Sequence, residues 1–75
     1  MGNSRITINP DICNGRPVII GTRIAVQTIL EFLGAGDSID EVLKEYPNLK
    51  REDIFACIQY ASKLMANRYE VQEIA

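Results

Sequence analysis

The chain has 75 residues, a net charge of −2 and no histidine. This length suits one domain (residues 1–75), and so small a core rarely supplies more than about 3–5 kcal/mol without a disulfide, a metal or a partner chain. Two isolated cysteines, the lack of histidine and the absence of a long apolar run argue against a disulfide framework, a zinc site and a membrane span. The first ten residues also lack the apolar segment of a signal peptide. We therefore predict a soluble cytoplasmic protein that gains stability by association.

Charge is distributed unevenly along the chain. Residues 1–24 carry a local charge of +2, whereas residues 25–46 carry −4. Most of these charges need no explanation beyond keeping a small surface hydrated. An acidic domain nevertheless offers few cations to nucleic-acid phosphates, and it suits a basic protein partner better.

Two extended segments open the chain and predict a β-hairpin arm over residues 5–24. Ile6-Thr7-Ile8 alternates apolar and polar residues, and Pro17 to Ile20 forms a second run that begins with proline. Asn, Pro, Asp and Gly residues between the runs predict a loop longer than a two-residue turn.

An isolated hairpin is marginally stable in water, so the arm needs a cover. The apolar residues of the second run need a larger cover than one thin layer of helices. We therefore expect the hairpin to contact a second copy in a homodimer, through the candidate interface residues Ile6, Ile8, Val18 and Ile20, with the tail over residues 69–75 as a second option.

Apolar residues at helical spacing predict three helices after the arm, near residues 25–34, 39–46 and 51–68, which together form a core over 25–68. Ser38 and Glu41 match a capping box, and Pro47 ends the second helix. The inward stripe of the third helix is predicted to comprise Ile54, Cys57, Ile58, Ala61 and Met65. Residues 69–75 form a tail.

The second and third helices, joined by a turn of about four residues, fit a helix-turn-helix, but an ordinary helical hairpin has the same layout. In the first case the third helix enters the DNA major groove by its N-terminal end, and the nearest residues are Lys50, Arg51, Glu52, Phe55 and Gln59. Lys50 and Arg51 would hold phosphates and Gln59 could bind an adenine edge. The neighbouring Glu52 and Asp53 would repel phosphates, so useful affinity would require a dimer.

Catalysis is not expected. There is no histidine to act as a general base, and adjacent carboxylates diverge on a helix. We predict no catalytic, cofactor-binding or metal-binding residue. Cys57 is expected to be a small buried apolar residue, and Cys13 an incidental loop thiol.

Several motifs together resemble a bacterial family known as domain of unknown function 433, over Ile6 to Ala61. They are GRPVIIGTRI from Gly15, YPNL from Tyr46 and EDI from Glu52. The resemblance implies a mainly α-helical, homeodomain-like helix-turn-helix domain preceded by a β-hairpin.

The resemblance also implies an antitoxin that is often encoded beside a small PIN-like nuclease toxin, and it carries over no catalytic residue. Two positions depart from the family pattern. Lys50 stands where a Thr or Ser often caps the third helix, at an expected cost of ~1 kcal/mol, and Ala25 stands where proline is common. The function expected is thus an antitoxin that binds a PIN-like toxin, with its own operator DNA as a second candidate partner, or alternatively a protein-interaction module whose helix-turn-helix no longer binds DNA.

Overall fold

The computed structural model describes residues 5–68 and has a short antiparallel hairpin followed by three helices. The elements are β1 (Ile6–Ile8), a short turn at Cys13–Gly15, β2 (Pro17–Ile19), α1 (Val26–Gly34), α2 (Ile39–Glu45) and α3 (Arg51–Arg68). The predicted hairpin and three helices are confirmed, and their boundaries agree to within one residue. The predicted tail over 69–75 lies outside the described residues.

The hairpin pairs Ile6 with Ile19, Thr7 with Val18, and Ile8 with Pro17. A further bridge joins Val18 to Ala25, so the chain just before α1 lies along the second edge of β2. The chain reverses between β2 and that segment at Gly21, whose φ of +78° suits glycine.

Two helix starts differ in how they are capped. The Ser38 hydroxyl accepts a hydrogen bond from the Glu41 backbone N–H at 3.1 Å, and the Glu41 carboxylate accepts one from the Ser38 N–H at 2.7 Å. The predicted capping box of α2 is therefore confirmed. Helix α1 follows Ala25, which offers no side-chain cap.

Helix α3 is capped by a residue inside its own first turn. The Asp53 carboxylate accepts a hydrogen bond from the backbone N–H of Lys50 at 2.9 Å, and the Asp53 N–H donates to the Lys50 carbonyl at 2.9 Å. This arrangement is the half of a capping box that comes from the third helical position. The Lys50 side chain cannot supply a capping oxygen, but the backbone N–H of Lys50 still has a hydrogen-bond partner in Asp53. The loss of stability is therefore smaller than the sequence predicted for a missing Thr or Ser cap.

The same carboxylate joins α3 to the hairpin. Asp53 is buried, and its second oxygen accepts a hydrogen bond from the Arg5 guanidinium at 2.9 Å. The sequence interpretation had Asp53 beside Glu52 as a charge that would repel phosphates. That interpretation is wrong for Asp53, because its charge is buried and balanced by Arg5.

One core lies between the hairpin and the helices. Its buried members are drawn from β2, from all three helices and from the turn before α3: Ile19, Val26, Ile29, Val42, Leu49, Ile54 and Cys57. Half-buried Ile6 packs against this cluster from β1. Val18 on the opposite face of the hairpin is also fully buried. The expectation that Val18 and Ile19 need a second chain to cover them is therefore wrong.

The predicted inward stripe of α3 is confirmed at Ile54 and Cys57 and is wrong at Ile58 and Met65. Asp53, Ile54, Ala56 and Cys57 are buried, whereas Ile58 and Met65, predicted to face inward, are exposed. The buried face is rotated by about one residue, ~100° around the helix, because Asp53 is drawn inward by its bonds and the small Ala56 allows close packing.

Helix α3 is longer than the other two helices. It has 18 residues, against nine in α1 and seven in α2, which corresponds to a length of about 27 Å. Residues 62–66 of α3 are all exposed. The second half of the helix therefore lies largely outside the core.

We expect Asp53→Ala to lower the free energy of unfolding by about 2–3 kcal/mol, because it removes both the helix cap and a charged hydrogen bond. Asp53→Asn keeps an oxygen for the Lys50 N–H and should cost only about 1 kcal/mol, since half-exposed Arg5 can be hydrated. Urea denaturation measures both. The neighbouring, exposed Glu52→Ala is the control and should stay within about 0.5 kcal/mol of the wild type; equal effects of Asp53→Ala and Glu52→Ala would contradict the account.

Candidate functional site

The outer face of α3 carries a row of exposed side chains that are apolar at every position except Ser62. We call Phe55, Ile58, Ser62 and Met65 the α3 stripe; they follow one another at spacings of three, four and three residues and so lie on one side of the helix. Phe55 is 46% exposed, Ile58 42% and Met65 63%. Single exposed apolar residues are ordinary, but several on one helix face indicate a contact surface.

All five residues proposed from the sequence for DNA contact are exposed: Lys50, Arg51, Glu52, Phe55 and Gln59. The structure therefore brings them together at the start and along the outer face of α3. The positive charges in this group are nearly balanced by negative ones. Arg51 forms an ion pair with Asp40 near the start of α2, and Glu52 adds a second negative charge.

The four residues proposed for a dimer contact are divided by the fold. Ile8 and Ile20 are 58% and 57% exposed, whereas Ile6 is half-buried against the core. Val18 is fully buried, so its side chain is not available to a partner, and its assignment to the interface is corrected. A shallow open groove runs beside Ile8 and Ile20, and Ile12, Thr22 and Arg23 help to line it.

The acidic segment lies mainly on the surface. Asp40, Glu41 and Glu45 are exposed on α2, and Glu31 is exposed on α1. Asp40 contacts Arg51 at the start of α3. The first turns of α2 and α3 are therefore neighbours, so negative charge lies beside the end of the α3 stripe that carries Phe55.

The two thiols differ chemically. Burial, with a smaller contribution from the negative charge of Asp53, raises the pKa of the Cys57 thiol to about 11, so this residue stays protonated and unreactive near neutral pH. Its predicted role as a buried apolar residue is confirmed. Cys13 is half-buried, has a positive φ of 52°, and its thiol donates to the Arg23 carbonyl at 3.1 Å.

Over residues 5–68, no three Cys, Asp or Glu side chains are grouped as ligands of a metal ion would be. None of the described helices is long and apolar enough to cross a membrane.

The model for a protein family of unknown function, DUF433, matches residues 6–61. The chain belongs to the DUF433 family. The resemblance drawn from the sequence motifs is therefore confirmed over the range on which it was based.

Two relatives match most of this chain. An uncharacterized protein of Sinorhizobium fredii, y4eO, is 38% identical over 56 residues, which is 75% of this chain and 25% of that protein. A crystal structure of a DUF433 member from Anabaena variabilis is 36% identical, with a TM-score of 0.76 over 79% of this chain and 58% of the other. The chain thus spans a quarter of its rhizobial relative and somewhat over half of its cyanobacterial one.

Sequence reasoning missed that Ile58 and Met65 join Phe55 on the outside of α3. Apolar residues occur on several sides of this helix, so its spacing is compatible with more than one inward face. Aspartate is usually exposed, so the residue type of Asp53 does not predict its burial. The burial is explained by the ion pair with Arg5, which is distant in the sequence.

We expect Ile54→Ala to lower the free energy of unfolding by about 2–5 kcal/mol, because Ile54 is fully buried and its loss leaves a cavity. Ile58→Ala, four residues further along α3, should cost less than about 1 kcal/mol, because its side chain is partly hydrated already. Thermal or urea unfolding of the two variants compares them directly, and equal losses would show that Ile58 is buried as the sequence alone predicted.

Proposed function

We propose that this chain is the antitoxin of a toxin–antitoxin pair and that it binds a PIN-like nuclease toxin through the outer face of α3. The observation that carries the proposal is the exposure of Phe55 and Ile58 at the centre of that face. Large apolar side chains held on a rigid helix are favourable anchors for a protein groove, which recognises them at spacings of three and four residues.

The charges beside the α3 stripe favour a basic partner. Exposed Glu52 lies on α3, and Asp40 and Glu41 lie in the first turn of the adjacent helix α2. A nuclease that binds RNA needs a positive groove for phosphates. An acidic helix pair that covers such a groove would be steered toward it and would block the substrate. On this proposal the protein acts in the cytoplasm by binding and not by catalysis.

A homodimer is part of the proposal. The hairpin leaves Ile8 and Ile20 exposed, and a domain of this size gains stability when a second copy covers at least one of them.

Binding to operator DNA is the second candidate function. It is favoured by the shared exposure of Lys50, just before α3, and of Arg51 and Gln59 on α3, as expected for the recognition helix of a homeodomain-like helix-turn-helix. The ion pair between Arg51 and Asp40 weighs against it, because it must be given up or shared when Arg51 meets a phosphate. The alternative is an interaction module that binds protein alone.

The protein contact is tested by co-purification with the tagged product of the neighbouring reading frame. Phe55→Asp combined with Ile58→Asp should weaken capture at least tenfold, because both anchors become charged and hydrated. Since both side chains are exposed, the melting temperature should change little. Ile20→Asp is the matched control, because it places the same charge at an equally exposed isoleucine on the hairpin, and it should leave capture unchanged. Undiminished capture of the double variant would refute the α3 contact.

DNA binding is tested by a gel shift with the region upstream of the gene at low salt. Arg51→Ala should weaken binding equally on all sequences and reduce the salt slope by about one per monomer. Asp40→Ala should tighten binding, because it releases Arg51. Gln59→Ala should relax the preference at one base pair by ~1–3 kcal/mol. The absence of any shift at micromolar dimer, with or without the protein partner, would favour the protein-only module.

A further inference from the structure

Strand β1 has one edge that is not paired within the described chain. The Ile20 N–H donates to the Arg5 carbonyl at 2.8 Å, so Arg5 and, two residues on, Thr7 turn their backbone groups toward β2. The Ile19 N–H instead donates to the Ile24 carbonyl, away from β1. Ile6, opposite Ile19, is therefore in a pair without hydrogen bonds to β2.

The backbone groups of Ile6 and Ile8 consequently point to the outer edge of β1. Within residues 5–68, neither residue has a backbone hydrogen bond on that side. The edge thus presents two N–H and two C=O groups spaced as a strand requires.

The side chains along this edge are also incompletely covered. Ile6 and Ile8 lie on the same face of the strand, because side chains alternate. Ile6 packs on the core, whereas Ile8 is 58% exposed. The apolar surface that begins at Ile6 therefore continues past the end of the core.

We propose that the β1 edge of one chain pairs antiparallel with the β1 edge of a second copy, with Thr7 opposite the partner's Thr7. In this register Ile6 lies opposite the partner's Ile8 and Ile8 opposite the partner's Ile6. The outward N–H and C=O groups of Ile6 and Ile8 are then hydrogen-bonded in both chains. A continuous four-stranded sheet forms across a two-fold axis. This inference rests on the homodimer of the proposed function and supplies its surface and register.

Self-complementarity is what favours a second copy over another protein. The register places the exposed Ile8 of each chain beside the half-buried Ile6 of the other, so that both cores are extended by the same contact. Thr7 meets an identical residue, and paired threonines are favourable neighbours across strands.

Charge does not oppose the pairing. The hairpin segment is basic overall, and two copies would repel if its charges were free. At the edge itself the Arg5 guanidinium is balanced by the Asp53 carboxylate at 2.9 Å. The same register brings Arg5 opposite the partner's Asn9, which is neutral.

Cysteine cross-linking of the chain alone tests the register. In a Cys13→Ser background, Thr7→Cys should form an intermolecular disulfide on mild oxidation, because a pair without hydrogen bonds brings its Cα atoms to about 4.5 Å. We expect most of the chains to become covalent dimers. Ser62→Cys, at the middle of the α3 stripe, is the control and should remain monomeric on a denaturing gel. Cross-linking at Ser62 alone, at both positions equally, or at neither would overturn the proposal.

Two matched isoleucines give a second measurement that does not depend on disulfide geometry. Ile8→Asp should raise the dimer dissociation constant at least tenfold in analytical ultracentrifugation, whereas Ile20→Asp, equally exposed but outside the β1 edge, should leave it unchanged. Circular dichroism establishes that both variants are folded. A folded Ile8→Asp variant that dimerises like the wild type would overturn the proposal. Since no nuclease is present in either assay, these failures are distinct from a failure of the α3 contact.

Discussion

The carboxylate of Asp53 connects the hairpin to the helices, through Arg5 before β1 and the start of α3. One oxygen accepts from the backbone N–H of Lys50 and so caps α3, and the other accepts from Arg5 just before β1. A buried carboxylate is costly unless its hydrogen-bonding capacity is used and its charge is balanced. Both conditions are met here by groups that are 3 and 48 residues away in the sequence. The position of the hairpin on α3 and the rotation of α3 about its own axis therefore depend on the same side chain.

That rotation decides what the protein presents to a partner. Once Asp53 and Cys57 face inward, Phe55 faces outward, because it lies two positions, ~200° around the helix, from each of them, and Ile58 lies ~100° or more from both. The outer face of α3 thus becomes apolar at its centre. Such a face suits contact with a protein more than contact with phosphates, and the Arg51–Asp40 ion pair shifts the balance in the same direction.

The hairpin shows how a small domain can cover more of its own surface than expected. Val18 and Ile19 point to opposite faces of β2, yet both are buried. Ile19 packs among the buried residues of the helices, and Val18 lies between two strand neighbours, Thr7 of β1 and Ala25 just before α1. The apolar surface left for association is smaller than the sequence indicates and is limited to Ile8 and Ile20 on the hairpin.

Local signals in the sequence determined the elements of this fold. The alternation at Ile6–Ile8, the Ser38 capping box and the break at Pro47 each act within a few residues, and all three are found where they were predicted. Family membership was also evident from sequence motifs alone, because they span most of the chain. The exposure of the five α3 residues considered for DNA contact followed from helical spacing near its N-terminal end.

Only the tertiary structure decided which side of α3 faces the core and which hairpin residues remain exposed. Helical spacing placed Cys57 and Ile58 together on the inward stripe, since both neighbour Ile54 on the helix surface, but only Cys57 is buried. The choice was made by the contact between Arg5 and Asp53, which joins residues too far apart in the sequence for any local pattern to pair them. Val18 likewise lies between Thr7 and Ala25, which pair with β2 on either side, and that arrangement is a property of the tertiary fold and not of the strand's own sequence.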